Sequence, residues 1–562
     1  MQKLKNISRT RAQESSAAIE RLYITMRHLF NRGFYKPMGI SGETLREALL
    51  DLRPEIYGSI AEEKAELNGL LYVIERLPVG IEQCRFINLT SDEGYSKSHF
   101  KAIVPPKRRR NCYRIDEEQM NVEITRGRSD IYDILTHLTF VFIESHKIRN
   151  RVLIDENGEM TRDWQKLEQV ILQNKKLNLE ERETAISHVS NILGRTFAEV
   201  TDIYDAFGNT ETPDRFLHVI YWLGKLAIDE ALGGPKRAIT FSPILRERLG
   251  HHIHGEIWAD NIKAVLKQNG LLQRPIHIIS ANMHSVMNSI FATHVHKGKY
   301  KGKPDFYIYE DLSKSGNAEL RNKVEEFALQ NGMIAMPDTS GTNIDVQIFD
   351  AAKIDFSLTA FPNAQVGEEK PVIVVMDYAF GEQAYETIDE LLKPYKEDDT
   401  KTFLNVVSVS IMGKAGILEG NKGDIMIPSA HINEGTGDNY PFENELKAEM
   451  LEGQGIPVYS GPMVTVLGTS LQNRDLLKFF NRSTWGVIGL EMEGAYYQKA
   501  IQSASKIRKS INPDVKVRYA YYASDNPLET GSTLASGGLG TTGVKPTYLI
   551  TIKILEQIFN CK

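Results

Sequence analysis

Val487-Ile488-Gly489-Leu490-Glu491-Met492-Glu493-Gly494-Ala495 and, about thirty residues on, Tyr519-Ala520-Tyr521-Tyr522-Ala523-Ser524-Asp525-Asn526-Pro527-Leu528 decide how this chain is read. Each is an apolar run that ends in a carboxylate where a loop or helix begins. In an open α/β sheet, ligands sit at the carboxyl ends of the strands. Two acids delivered there, Glu493 and Asp525, point to chemistry on a polar small molecule. Taken singly, each has a plainer explanation. Glu493 is also placed as a helix N-terminal acid, and Asp525 as a turn-starting residue ahead of Asn526-Pro527.

Upstream, the same layout repeats. Pro371-Val372-Ile373-Val374-Val375-Met376 is unbroken and apolar, as a strand buried on both faces must be. It ends at Asp377 and passes Gly381-Glu382-Gln383-Ala384 into a helix with Ile388, Leu391 and Leu392 on one side. Strand, glycine turn and helix N-terminus together make a place for an anion. A second strand from Val406 runs into Met412-Gly413-Lys414-Ala415-Gly416-Ile417-Leu418, and Gly423-Asp424-Ile425-Met426-Ile427-Pro428 follows. The glycines let backbone approach a ligand. A β segment from Val458 to Leu467, broken by Gly461-Pro462, leads to Gly468-Thr469-Ser470, with Arg474 and Arg482 downstream as phosphate partners or exposed arginines.

Met492-Glu493-Gly494-Ala495 with Ser524-Asp525 resembles the signature of the purine nucleoside phosphorylase and nucleosidase superfamily. Ser524-Asp525-Asn526-Pro527-Leu528 and the glycine-containing stretch after it resemble AMP nucleosidase most. The resemblance spans residues 355–559, about a third of the chain. It implies that Glu493 accepts hydrogen bonds from ribose hydroxyls, that Met492 packs on the sugar, and that Asp525 protonates the purine at N7. A loop glutamate would activate water, Glu382 first and Asp377 second. Gly381, Gly413, Lys414, Gly416, Ser524 and Arg474 are the further substrate-binding candidates. Ala415 stands where a small polar residue or Cys is usual, and Ile417 replaces a second glycine, so phosphate binding departs from the pattern; Lys414 is placed to compensate. The resemblance also implies a homo-oligomer whose neighbours complete the site.

The chemistry suits those groups. Cleaving an N-glycosidic bond builds positive charge on the ribose and negative charge on the base. A carboxylate steadies the first and an acid neutralises the second. An aspartic acid that protonates near neutral pH must have its pKa raised by burial or by its substrate.

The rest of the chain sets the frame. Its 562 residues allow about three domains, and 41% hydrophobic with 25% charged residues is an ordinary soluble composition. A net charge of −6 argues against a nucleic-acid partner. Cys84, Cys112 and Cys561 form no CxxC pair, so no disulfide framework and no zinc site are expected, and a cytoplasmic setting is the simplest. No apolar leader and no membrane span are expected.

Residues 1–235 read as a mostly helical N-terminal domain ending at Gly233-Gly234-Pro235. Asn178-Leu179-Glu180-Glu181 is a capping box, and residues 131–143 read as a buried helix. Lys107-Arg108-Arg109-Arg110 is either a solvated loop or an anion site. Residues 236–354 read as a middle α/β segment, separate or part of the C-terminal sheet, with Ile276-His277-Ile278-Ile279 and Phe306-Tyr307-Ile308-Tyr309 as strands. His251, His252, His254, Glu256, His294 and His296 fit no zinc spacing. Asp338-Thr339-Ser340-Gly341-Thr342-Asn343 is a turn or an anion cradle. Residues 355–562 are the catalytic domain, a doubly wound α/β fold like the nucleoside phosphorylases. Ser536-Gly537-Gly538-Leu539-Gly540-Thr541-Thr542-Gly543 is a lid or a connector.

The function expected is an N-ribosyl hydrolase acting on a purine nucleotide, AMP first, with no cofactor. The alternatives are phosphorolysis of a nucleoside with phosphate as cosubstrate, hydrolysis of a nucleoside, and a non-catalytic nucleotide-binding regulator.

Overall fold

An apolar run without a polar face is stable only inside a sheet covered on both sides. In the computed structural model of the chain, Val372–Met376 is such a strand, buried at all five positions. The structure describes residues 10–173, 177–208, 212, 214–302, 306–434, 436–534 and 539–561. Val372–Met376 runs parallel to Ile276–Ser280 and antiparallel to Val346–Asp350, and Ile276–Ser280 runs parallel to Val406–Ile417. The middle segment's strands therefore lie in the same sheet as the C-terminal blocks.

Two units result: Met1–Leu249 with Gly468–Leu476, and Gly250–Leu467 with Leu477–Lys562. In the second, helices cover both faces of the sheet. Ile253–Gln268, Gln383–Leu391 and Gly494–Gln502 pack Trp258, Ile262, Ile388, Tyr497 and Ile501 on one face. Met283–Val295, Ala318–Gln330 and Val544–Ile558 pack Val286, Ile290, Val324, Ile550 and Ile554 on the other. Each such side chain gains roughly 1.5–3 kcal/mol from burial.

The sheet is not the open, doubly wound one expected. Val406–Ile417 pairs with Lys516–Asp525, which pairs with Ile425–Asn433, then Val458–Thr465, then Gly489–Glu491, which returns to Val406–Ile417. Five strands close a ring, and Ile276–Ser280, Val372–Met376, Val346–Asp350 and Met333–Met336 extend from it as an open wing. Closure needs strands that bend, and the register slips at Ala415/Gly416 and Pro428/His431 supply the bends. A slip of one residue leaves no mark on composition, which is why the sequence reads as a plain doubly wound sheet.

Other local expectations divide. Phe306-Tyr307-Ile308-Tyr309 opens a helix, Phe306–Ser313, and not a strand, because Ile308, Tyr309 and Leu312 fall on one helical face. In the first unit, Asn178 Oδ1 accepts from the Glu181 N–H at 2.9 Å while Glu181 Oε2 accepts from the Asn178 N–H at 3.0 Å, a closed capping box at the start of Leu179–Leu193. The buried apolar stretch lies within the helix Gly127–Val152. The first unit also holds a sheet of six short strands, Phe34–Tyr35, Phe86–Thr90, Ala102–Ile103, Cys112–Arg114, Gln119–Glu123 and Ala238–Phe241. Runs of two to five residues show too little alternation to be read from sequence.

The basic cluster divides: Lys107 and Arg109 are exposed, as a solvated loop requires, while Arg108 and Arg110 turn inward. Arg110 is 2% exposed and bonds Asp130 at 2.7 Å and Asp133 at 2.5 Å; Arg108 bonds Asp133 at 3.2 Å. The anions they meet are the chain's own, in the first turns of Gly127–Val152.

Candidate active site

The turn at Glu491-Met492-Glu493-Gly494 joins the strand Gly489–Glu491 to the helix Gly494–Gln502. A helix start leaves N–H groups without partners inside the helix, and here two side chains take them. The Glu491 carboxylate accepts from the Gly494 N–H, and Thr465 Oγ1 accepts from the Ala495 N–H at 2.9 Å while donating to Glu491. Glu491 also accepts from the Glu493 N–H at 2.5 Å. The helix-capping carboxylate is thus Glu491, and Glu493 is released from that duty. Its Oε1 crosses to the Gly381 N–H at 2.9 Å, and its Oε2 lies 3.3 Å from the Met492 N–H. Gly381 has φ +57°, a left-handed conformation that favours glycine, so the turn that meets Glu493 depends on that residue type.

His431 lies fully buried, 3.5 Å from Glu491, between Phe442, Tyr519 and Tyr521. A Cβ on Gly494 would sit 2.3 Å from its ring, so no other residue fits there without displacement.

Asp525 ends the strand Lys516–Asp525 and is 2% exposed. Burial pushes its carboxyl up to about 6, against the lowering effect of the Ser524 hydroxyl and of the Lys422 and Lys414 charges. Ser524 Oγ lies 2.6 Å from Asp525 Oδ1 and 3.1 Å from the Ala415 carbonyl. Its single proton serves the carboxylate while Asp525 is charged and has the carbonyl to turn to when Asp525 is protonated. The turn after Asp525 is made by Asn526, whose Oδ1 accepts from the Leu528 N–H at 2.9 Å and whose Nδ2 donates to the Gly420 carbonyl at 3.0 Å.

One strand brings the two acids together. Gly416 pairs with Leu490 on one side and with Asp525 on the other. A Cβ at Gly416 would stand 3.0 Å from Leu490 and 3.6 Å from Asp525 Oδ2. Met492 joins a small apolar cluster with Leu418, Val466 and Leu490, against which Phe380, beside Gly381, and Leu528, beyond Asp525, also pack. Gly413 leaves room for Tyr378, whose ring would be 2.8 Å from an added Cβ. The buried Tyr378 hydroxyl has no hydrogen-bond partner among the described residues, and burial, with Tyr521 and Glu493 nearby, pushes it well up. Tyr497 OH ties the loops together, 2.8 Å from Ser280 Oγ and 3.3 Å from the Ala379 N–H.

The other candidates fall as follows. Glu382 is half-buried at the start of Gln383–Leu391, next to the Gly381 amide that holds Glu493. Asp377 Oδ1 accepts from the Tyr378 N–H at 2.9 Å. Lys414 projects to the opposite face of the sheet, beside its pairing partner Tyr522. Arg474 belongs to the Gly468–Leu476 segment of the first unit; Arg482 is exposed. Within Ser536–Gly543, the part at 536–538 lies outside the described residues, and Gly540–Gly543 is a short 3₁₀ turn leading into Val544–Ile558.

The remaining polar clusters are accounted for internally. The Asp338 carboxylate itself occupies the cradle of its loop, accepting from the N–H groups of Ser340, Gly341 and Asn343. His254 bonds the Ser340 carbonyl at 2.9 Å and His296 the Leu320 carbonyl at 3.1 Å. His252, Asp389 and Glu390 bring ligand atoms within 4.8 Å of one another, yet Lys393 pairs with Glu390 at 2.6 Å and Arg508 with Asp389 at 2.7 Å. Those cations already balance the carboxylates that a metal would need.

A family model described as "Family of unknown function (DUF6909)" matches residues 43–300 and 306–560. The chain belongs to the DUF6909 family. No curated protein matches its sequence. Among solved structures, this DUF6909 chain is similar to the 5′-methylthioadenosine/S-adenosyl homocysteine nucleosidase of Campylobacter jejuni, at 10% identity over 50% of this chain and 99% of that one, TM-score 0.31. It is similar to the futalosine hydrolase of Helicobacter pylori strain 26695, at 12% identity over 52% and 99%, TM-score 0.30. A third is the Neisseria meningitidis 5′-methylthioadenosine/S-adenosylhomocysteine nucleosidase in complex with methylthio-immucillin-A, at 11% identity over 50% and 99%, TM-score 0.28. Likenesses at such scores carry no argument about this chain, and the residues have to.

Sequence reading passed over Glu491, Thr465, His431 and Tyr378. Glu491 stands two residues ahead of the N-cap position, Glu493, outside the place where a capping side chain is looked for. Thr465, His431 and Tyr378 reach the site through strand pairing, which leaves no local signal.

Proposed function

We propose that this protein is an N-ribosyl hydrolase that cleaves a purine nucleotide, AMP in the first instance, to adenine and ribose 5-phosphate. One observation carries the reading. Asp525, buried and with its carboxyl raised to about 6, lies across a single strand from the turn that presents Met492 and Glu493. An acid with a pKa near neutrality is matched to protonating a leaving base.

In the proposed reaction the C1′–N9 bond breaks and its electron pair goes to the purine, which takes the Asp525 proton at N7. Glu493, anchored through Gly381, accepts hydrogen bonds from the ribose hydroxyls and steadies the positive charge that develops on the sugar. Met492 packs on the ribose. Water bonds to C1′ and gives its proton to a carboxylate, for which Glu382 is the candidate by its place beside Gly381. The roles of Glu493, Met492 and Asp525 follow the motif resemblance, and their geometry supports it.

The test is chromatography of AMP incubated with the purified protein, with and without phosphate, beside Asp525→Asn. Adenine released without phosphate by the wild type, and lost in the variant, is the expected result. Release only with phosphate would replace hydrolysis by phosphorolysis. No release from any purine nucleotide or nucleoside would leave a binding protein.

A further inference from the structure

In the first unit the helices Ile40–Leu52 and Gly127–Val152 pack together, and Arg46 Nη1 of one donates to His146 Nδ1 of the other at 3.1 Å. That bond fixes the tautomer. A guanidinium can only donate, so Nδ1 accepts and the ring proton sits on Nε2. Burial, and then the charges of Arg237, Arg46 and Arg149, push the imidazole down to about 3, so the ring is neutral at any ordinary pH. Arg149 stands three residues beyond His146, on the same side of the helix.

Three guanidinium groups thus lie about one neutral ring, and the carboxylates do not match them. Arg237 is 2% exposed and satisfied: Glu230 accepts from its Nε at 2.9 Å and its Nη2 at 2.8 Å, and Ser145 Oγ accepts from its Nη1 at 3.1 Å. Arg46 and Arg149 have no such partner. Arg149 donates to the side chain of its neighbour Asn150, at 3.1 and 2.6 Å, and Arg46 reaches besides the ring only the Met38 sulfur, at 3.9 Å. Among the described residues no carboxylate pairs with either, although Glu43 and Glu47 lie exposed on the helix of Arg46. Burial lowers the Arg149 pKa; Glu230 works against that, and Arg46 and Arg237 lower it further. The cations repel one another with too little negative charge between them.

A second observation is independent of that charge. His146 Nε2 is closed off from solvent and has no hydrogen-bond partner among the described residues. Buried polar groups are as a rule bonded, and an unmet one calls for a partner. The unmet groups here are all donors: the Nε2–H of His146, Nε and Nη2 of Arg46, and Nη1 of Arg149. What completes them is an acceptor that carries negative charge.

We propose that Arg46, Arg149 and the Nε2–H of His146 form a binding site for a doubly charged oxyanion. Its ligand carries either a phosphoryl group or a pair of carboxylates, since the guanidinium fork fits both. The site lies wholly in the first unit, and nothing in it rests on the glycosidase reading.

The experiment is isothermal titration calorimetry of the full chain with sulfate, which stands in for a phosphoryl group, and separately with malonate. Ionic strength is held constant with sodium chloride, and the wild type is compared with Arg46→Gln and Arg149→Gln. One saturable site for at least one probe is expected in the wild type, weakened tenfold or more in each variant. Tighter sulfate assigns the phosphoryl ligand; tighter malonate assigns the dicarboxylate. Thermal melts without added anion identify a variant that fails to fold, and the other then reads the same quantity. No saturable binding of either probe to the wild type overturns the site, as does binding that both folded variants keep unchanged. Base release from AMP is measured in parallel, and its absence beside Arg46-dependent binding removes the glycosidase while leaving the oxyanion site.

Discussion

Asp525 has two consequences that one substitution separates. Its carboxyl sits at about 6, some two pH units above its unfolded value, which corresponds to roughly 3 kcal/mol against the charged folded form. Below about pH 4 the carboxyl is protonated folded and unfolded alike, and the cost is absent. It grows between pH 4 and 6 and is complete above. Asp525→Asn therefore raises stability by up to about 3 kcal/mol at pH 7.5, and the gain fades to nothing by pH 4. Denaturant melts at the two pH values measure it, and an equal gain at both would reject the raised carboxyl. The same change removes the acid and lowers kcat about 10²–10⁴-fold. In the wild type, kcat/KM falls as pH rises above about 6, because the protonated form is then lost.

Gly494 is constrained by packing and not by backbone angle. An added Cβ meets the His431 ring at 2.3 Å, and that ring is boxed in by Phe442, Tyr519 and Tyr521. Overpacking a filled site costs about 1–3 kcal/mol. Gly494→Ala is expected to lose at least that much stability, with kcat/KM falling as the neighbouring Glu493 is displaced. A variant as stable as the wild type would show that His431 moves freely.

At the scale of elements, the site depends on a helix start whose cap comes from two strands. Thr465 Oγ1 stands between the Ala495 N–H and the Glu491 carboxylate. Thr465→Val keeps the shape and removes that link. It should cost about 1–2 kcal/mol, from one helix cap and one buried hydrogen bond, and raise KM more than it lowers kcat if Glu493 is then held less firmly. Unfolding curves and steady-state kinetics read the two effects; a stable variant with unchanged KM would mean that Glu493 is positioned by Gly381 alone.

This is also the scale at which the sequence stops being legible. The strands at 372–376 and 516–525 announce themselves by apolar runs, and the acids at 493 and 525 by standing at their ends. The Asn178 cap is visible because its partners lie three residues apart. Thr465, His431 and Tyr378 owe their places to pairings between strands far apart in the chain, and the ring closes through bulges that a one-residue slip produces. Phe306-Tyr307-Ile308-Tyr309 misleads because aromatic and branched residues favour strands while their spacing favours a helix, and the helix buries the better face.

At the scale of the molecule, the position of Ile276–Ser280 sets the limits of the folding unit. It is an interior strand, with Val372–Met376 on one side and Val406–Ile417 on the other. The helices that follow and precede it, Met283–Val295 and Ile253–Gln268, supply core to opposite faces. A fragment beginning at residue 355 keeps every motif of the resemblance but loses the strand between those two. Both would then expose unpaired backbone edges, and both faces would lose apolar cover. Such a fragment is expected to show no cooperative unfolding and to aggregate. A fragment beginning at residue 250 retains the interior strand and both helices, and should melt in one transition. Circular-dichroism melts of the two fragments decide it, and a cooperative transition in the shorter one would show that the ring of five strands folds without Ile276–Ser280 beside it.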